Sequence, residues 1–153
     1  MSRRDEIRMS EAEVGAFLRE QRTVVCATID RDGAPHVVPL WYVMRDRDVW
    51  VWTYAASQKV RNLERDPRAT LAVEAGEAYE QLRGVMLRTE AEIERDPDLV
   101  TALGLALYER YLDTGELPAD VRETIARQSP KRVAIRFVEH SRASWDHRKL
   151  EAA

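Results

Sequence analysis

Three β-rich segments separated by short turns constrain the fold of this chain more than any other feature. They span residues 23–29, 36–44 and 49–54. The first turn ends in Gly33, which supplies the positive φ that a tight turn needs. Pro39 cannot donate a ladder hydrogen bond, so the second strand must lie at a sheet edge or carry a bulge there. The pattern predicts an antiparallel meander.

Helices and further strands are expected on both sides of this meander. Ser10 and Glu13 form a capping box that starts a helix over residues 10–21. A short helix follows Ser57 and ends at Asp66-Pro67. Strands are predicted at 69–74, 84–93 and 133–138, with a possible seventh at 142–145, and helices at Asp96-Pro97 to Gly115 and at 118–128. The fold class is therefore α+β, with six or seven antiparallel strands in a closed or nearly closed barrel flanked by helices.

Composition narrows the classes of function. The 153 residues are 44% hydrophobic, which is enough for the core of a single domain spanning 1–153. The net charge is only −3, so no overall field favours nucleic acid or membranes. Cys26 is the single cysteine, and it is interpreted as a small core residue. No two of the three histidines have metal-ligand spacing, so no metal is expected. The charged start of the chain and the lack of a long apolar run predict a cytoplasmic protein.

Aromatic residues are concentrated around the third strand. Trp50, Trp52 and Tyr54 alternate with Val49, Val51 and Thr53, so both faces of this strand are apolar. One face suits the barrel interior. The other is expected to pack against a second subunit or a flat ligand.

The strand leads directly into a possible anion site. Of 24 basic residues, only Lys59, Lys131 and Lys149 are lysine. Ser57, Lys59 and Arg61 lie around the start of the following helix, where free N–H groups and the helix dipole favour an anion. A phosphate site beside an apolar β-surface suits flavin mononucleotide (FMN). The alternative is an ordinary solvated helix capped by Ser57, and the local pattern leaves both open.

The chain resembles the flavin and deazaflavin oxidoreductases of the pyridoxamine 5′-phosphate oxidase-like split β-barrel superfamily. The resemblance runs from about residue 10 to residue 150. Its motifs are TVVCATIDRDGAPHVVPLWYV, SQKVRNLERDPRATLAVE, YEQLRGVMLRTEAEI and ASWDHRKL, in that order. It implies a homodimer with two cofactor sites at the subunit interface, a small-molecule substrate, and coenzyme F-420 (a deazaflavin) or FMN as the cofactor, with F-420 favoured.

The resemblance also implies roles for individual residues. Lys59 is expected to contact the cofactor phosphate, with Ser57 and Arg61 as further candidates. The strand at 36–40 is expected to lie along the ring system through its backbone, and Thr53 and Tyr54 to border the same ring. Arg83 either reaches the partner's cofactor or forms a surface salt bridge. The cofactor-binding candidates are thus Lys59, Ser57, Arg61, Thr53, Tyr54, His36, Val38, Pro39, Leu40 and Arg83.

The expected function is hydride transfer between this cofactor and a small organic substrate, with catalytic residues unknown because the cofactor carries the chemistry. The usual substrate-binding arginine and histidine of pyridoxamine-phosphate oxidase have no clear equivalent, and Arg148 is only a loose match. The alternatives are an FMN enzyme of that type, or a non-catalytic carrier or sensor of a flavin, deazaflavin or tetrapyrrole. A haem-binding function would need His36 or Tyr42 as the axial ligand.

Overall fold

Seven strands and five α-helices make up the chain in this computed structural model, which describes residues 1–150. The last three residues of the predicted domain lie outside that range. The strands are β1 (Thr23–Ile29), β2 (Pro35–Trp41), β3 (Val43–Arg45), β4 (Asp48–Tyr54), β5 (Arg68–Ala75), β6 (Arg83–Glu94) and β7 (Arg132–Asp146). The helices are α1 (Arg3–Glu6), α2 (Glu11–Glu20), α3 (Gln58–Arg65), α4 (Pro97–Leu112) and α5 (Ala119–Gln128). The α+β class is confirmed.

One antiparallel sheet contains all seven strands, in the order β2-β1-β5-β6-β7-β4-β3. Its two edge strands, β2 and β3, are consecutive in the chain and separated only by Tyr42. The sheet must therefore curl until its two edges meet at this residue, which produces a half-barrel. Pro39 lies on an edge strand, as its missing N–H requires.

The predicted meander is wrong in one respect. Residues 36–44 do not form one strand between the first and third segments: β2 pairs with β1, and β3 pairs with β4. The break falls at Tyr42, whose side chain is fully buried and whose hydroxyl donates to the carbonyl of Leu18. A long-range contact therefore breaks a segment whose local pattern is continuous.

Two other boundaries differ from prediction. The strands expected at 133–138 and 142–145 are a single strand, β7, with a register irregularity opposite Arg88 and Thr89. Helix α4 ends at Leu112, and the residue that caps it, Asp113, has a left-handed φ of 51°. Gly115 lies beyond this end. The capping box of Ser10 and Glu13 and the capping of α4 by Asp96 are confirmed.

The inward faces of the strands form the main core together with α2 and α3. Its fully buried members include Val24, Cys26, Leu71, Val85, Ile135 and Phe137. Burial raises the pKa of the Cys26 thiol to about 12, as expected for a core cysteine.

A second cluster covers the tryptophan face of β4. Helix α4 packs on Trp52 so closely that a Cβ at Gly104 would lie 2.8 Å from the indole Cε2. Trp50 packs against the same cluster. The expectation that a second subunit or a ligand covers this face is therefore wrong for Trp50 and Trp52, because the chain's own helix covers them. Tyr54, at the end of the strand, stays half exposed at 50%.

None of the helices within residues 1–150 is long and apolar enough to cross a membrane.

Candidate functional site

The site begins at the turn between β4 and α3. The backbone N–H of Ala55 donates to the carbonyl of Lys131 over 2.9 Å, and that of Ser57 donates to Tyr54 over 3.1 Å. The first bond joins this turn to Lys131, directly before β7, and the second closes the turn itself. Tyr54, Ala55, Ala56, Ser57 and Lys131 line a shallow pocket of about 540 Å³ at this corner.

Asn62 fixes the orientation of α3. Its side chain is fully buried, and its amide donates to Thr28 Oγ1 over 3.0 Å and to Asp30 Oδ1 over 2.9 Å. Its oxygen accepts from Gln58 over 2.9 Å and from Arg65 over 3.3 Å. The asparagine of the SQKVRN segment therefore ties the helix to the end of β1.

Ser57 occupies the N-cap position of α3, as predicted, but its hydroxyl does not cap the helix. The Oγ atom is buried and has no hydrogen-bond partner within residues 1–150. A buried hydroxyl without a hydrogen-bond partner lowers the stability of the fold. We therefore expect a group outside residues 1–150, such as a ligand, to form a hydrogen bond with Ser57 Oγ.

Lys59 lies on the first turn of the same helix, half-buried. It forms no ion pair with any residue of the described chain, and neither does Lys131. Lys149, the third lysine, binds the Glu13 carboxylate over 2.7 Å. Burial lowers the pKa of Lys59, and the nearby Arg132 guanidinium lowers it further. A bound anion would favour the charged ammonium and so oppose both effects.

Arg132 is a further residue at this corner, and the sequence patterns did not indicate it. It pairs with Tyr54 in the β4–β7 ladder, and its guanidinium carbon lies 3.6 Å from the Tyr54 ring centroid and 4.4 Å from that of Trp52. The sequence signal was the Lys131-Arg132 pair directly before a strand. Nothing in one sequence shows that this strand starts beside α3.

Edge strand β2 presents two different faces. His36, Val38 and Leu40 pair with Thr28, Cys26 and Val24, which point into the barrel, so these three lie on the inner side. Pro39 lies on the outer side with Val37 and Trp41, and all three are exposed. The Nδ1 atom of His36 is buried without a partner in the described chain. Because β2 pairs only with β1, half of its backbone hydrogen-bonding groups are left for a ligand or another chain.

The remaining candidates lie in varied settings. Thr53 is buried, with 4% of its surface exposed, and Arg61 is exposed on α3. Arg83 lies 3.5 Å from Glu20 and 5.1 Å above the Phe17 ring, so within one chain it forms the predicted surface salt bridge. Arg148 binds Asp146 over 2.8 Å. These placements leave the cofactor-binding roles as predictions.

Of the two side chains considered as a haem ligand, Tyr42 loses support. Tyr42 cannot serve as an axial ligand without unfolding its surroundings, because its hydroxyl is buried and bonded to Leu18. No group of three or more His, Cys, Asp or Glu side chains in residues 1–150 is arranged to hold a metal ion.

The chain matches a known protein family and several solved structures. The protein-family model described as pyridoxamine 5′-phosphate oxidase matches residues 10–141. A conserved hypothetical protein from Mycobacterium tuberculosis is 40% identical, with a TM-score of 0.89 over 99% of this chain and 93% of that one.

Two more distant structures share the fold. An F-420 reductase is 24% identical, with a TM-score of 0.65 over 84% of this chain and 94% of that one. The haem storage protein HutZ from Vibrio cholerae is 20% identical, with a TM-score of 0.67 over 89% of this chain and 93% of that one.

Proposed function

Because the chain belongs to the pyridoxamine 5′-phosphate oxidase family, we propose that it is an oxidoreductase that binds a phosphorylated flavin-type cofactor and passes a hydride between it and a small organic substrate. One observation carries the proposal. Lys59 has no carboxylate partner in residues 1–150 and stands beside the unpartnered Ser57 hydroxyl at the start of a helix. We favour F-420 over FMN on the sequence resemblance.

The residues at this corner fit such a cofactor. Lys59 supplies a charge for the phosphate, Ser57 a hydroxyl, and the first turn of α3 its free N–H groups. The unpaired edge of β2 offers backbone donors and acceptors to the ring, with Val38 and Leu40 beside it. When bound, the reduced ring supplies the hydride, and the protein's part is to hold and orient it.

Replacing Lys59 with methionine tests this function. The variant should bind FMN and F-420 about 10- to 100-fold more weakly, because a hydrogen bond to a charged group contributes roughly 1.5–3 kcal/mol. Titration of each cofactor by fluorescence measures the change. Lys149→Met is the matched control, because that ammonium already binds Glu13. Wild-type protein that binds neither cofactor at tens of micromolar would refute the proposal.

A homodimer with sites at its interface is the second part of the proposal. On the outer face of β2, β1, β5 and β6, helix α4 reaches only the Trp41 end, where the Tyr111 ring stacks on the indole at 4.3 Å. The outward residues of this face are largely apolar and only partly buried: Val25, Ala27, Ile29, Val37, Pro39, Trp41, Thr70, Ala72 and Met86. A contiguous apolar face of this kind is typical of a protein interface. It includes β2, so a partner docked there would lie next to the proposed ring site.

A charge in the middle of this face should separate the dimer. Ala72 lies between Val25 and Met86 in the ladder, so Ala72→Glu would bury a carboxylate among apolar side chains on association. We expect the mass in solution, measured by light scattering after size exclusion, to fall from dimer to monomer. Ala126→Glu makes the same substitution at an exposed position of α5 and should leave the mass unchanged. A wild-type monomer would contradict the proposed assembly.

The side chains at the entrance of α3 also favour a second candidate. They are cations, a hydroxyl and aromatic rings, which suit binding but include no carboxylate that could serve as a general acid or base. A carrier or sensor of a flavin, deazaflavin or tetrapyrrole would need no more. Incubation of the reduced cofactor with quinones, enones and biliverdin separates the candidates, since binding without oxidation of the cofactor supports the carrier.

A further inference from the structure

The Arg132 guanidinium is held in place by aromatic rings instead of by a carboxylate. It lies over both the Trp52 and Tyr54 rings, with its carbon 4.4 Å and 3.6 Å from their centroids. One nitrogen, Nη2, donates to Gln128 Oε1 over 3.0 Å, and the Nε atom is buried without a partner in residues 1–150. No acidic side chain of the described chain lies within ion-pair distance.

Arg136 provides a direct contrast on the same strand. It lies four residues further along β7, on the same outer face, and pairs with Trp50 of β4. Its guanidinium binds Asp48 over 2.7 Å and Glu92 over 3.5 Å, which neutralises it. Arg142, the third arginine of β7, also binds a carboxylate, that of Glu139, over 2.8 Å. Arg132 is thus the arginine of this strand whose charge is not balanced within residues 1–150.

The free arginine stands at the entrance of α3. Arg132 directly follows Lys131, whose carbonyl accepts the N–H of Ala55 in the turn before the helix. It is also close enough to Lys59 to disfavour that residue's charged form. Neither cation forms an ion pair with an acid of the described residues, so their mutual repulsion is uncompensated there and a bound anion would offset it.

We propose that Arg132 is a second cation for the cofactor phosphate and that, with Lys59, it makes binding depend on that phosphate. The inference rests on the proposed function and adds a residue to its site. A guanidinium presents two parallel N–H donors to two oxygens of one phosphate, which a lysine cannot do. Contact with two aromatic rings holds this fork at little entropic cost, because the side chain is already ordered.

Ligands that share a ring but differ in the phosphate separate the contribution of the phosphate to binding from that of the ring. FMN and riboflavin share the same ring and ribityl chain, and only FMN carries the phosphate. For the deazaflavins, the same comparison is between F-420 and the precursor that has the same ring but lacks the phosphate and the groups attached through that phosphate. The ratio of the two affinities within a pair measures how much binding is due to the phosphate.

The test measures this ratio in wild type and in Arg132→Met by fluorescence titration with FMN and riboflavin, and with the deazaflavin pair. We expect the phosphorylated member to bind about 10-fold more weakly to the variant. The affinity for the unphosphorylated member should change by less than about 2-fold, so the ratio falls. Arg136→Met is the matched control, and it should leave both affinities and their ratio unchanged.

The outcomes are distinct. If wild type binds no phosphorylated member of either pair, the proposed function fails. If wild type binds and Arg132→Met keeps the wild-type ratio, this inference alone is overturned. Equal weakening of both members would assign Arg132 a purely structural role and would also overturn it. If Arg132→Met does not fold by circular dichroism, Arg132→Gln removes the charge and keeps a polar side chain near Gln128, and the same ratio decides.

Discussion

Replacing Arg110 with methionine should lower the free energy of unfolding by about 3–5 kcal/mol, because several carbonyls lose a charged donor at once. The guanidinium donates to the carbonyls of Leu18, Arg19, Gln21 and Tyr42. The first three lie at the C-terminal end of α2, where carbonyls have no partner within the helix. The fourth lies at the break between β2 and β3.

The size of this effect follows from where Arg110 sits. Its guanidinium carbon lies 4.5 Å above the Tyr42 ring, at the point where the two edges of the sheet meet. From helix α4 it therefore ties together α2, the β2–β3 break and the second core cluster. Methionine keeps most of the apolar stem but cannot donate to any carbonyl.

Urea unfolding followed by tryptophan fluorescence and circular dichroism measures the change. Arg127→Met on α5 is the control, since that side chain is exposed and its one hydrogen bond is to Thr124 at 3.2 Å. We expect the control to change the unfolding free energy by less than about 0.5 kcal/mol, as is usual for surface substitutions. A loss below about 1 kcal/mol for Arg110→Met would show that water replaces the lost donor and that the cluster is not a structural tie.

Local sequence patterns predicted the parts of the fold whose causes are local. The capping box at Ser10, the Asp96-Pro97 start of α4 and the Gly33 turn each depend on neighbouring residues, and each is confirmed. The strand break at Tyr42 depends instead on Leu18 and Arg110, and Arg110 lies 68 residues away. An uninterrupted apolar run such as HVVPLWYVM carries no sign of such a contact.

The same distinction explains the candidate site. Ser57 and Lys59 are close together in sequence, so the start of α3 could be identified from the sequence as a candidate anion site. Arg132 enters the site only through the pairing of β4 with β7, which places it beside Tyr54. The covering of Trp50 and Trp52 by α4 likewise depends on how a distant helix packs. Alternation along β4 could show that both faces are apolar but not what covers each face.

Replacing Asn62 is the second substitution with a large expected effect. Asn62→Ala should lower the unfolding free energy by about 2–4 kcal/mol, because it leaves a cavity and removes the donor to Thr28 and Asp30 in a buried site. Both bonds have the usual length for an N–H donor, at 3.0 and 2.9 Å, and the side chain has no exposed surface. Gln58→Ala is the control. It removes one exposed member of the same network and should lower the unfolding free energy by less than about 1 kcal/mol.

Asn62→Asp separates hydrogen bonding from packing, since it keeps the volume but replaces the donating amide with a carboxylate. At neutral pH the new carboxylate would face Asp30 and could not donate to Thr28, so we expect a loss at least as large as in Asn62→Ala. Burial and the Asp30 charge would raise the pKa of the new carboxyl in the folded state. A raised folded-state pKa means that this group destabilises the fold most where the unfolded form is ionised, and that stability recovers as the pH falls. As the pH falls from 7 to 5, the urea midpoint of Asn62→Asp should therefore approach that of wild type, whereas the midpoint of Asn62→Ala should not. If the midpoints of the two variants instead change with pH in parallel, α3 is held by packing alone.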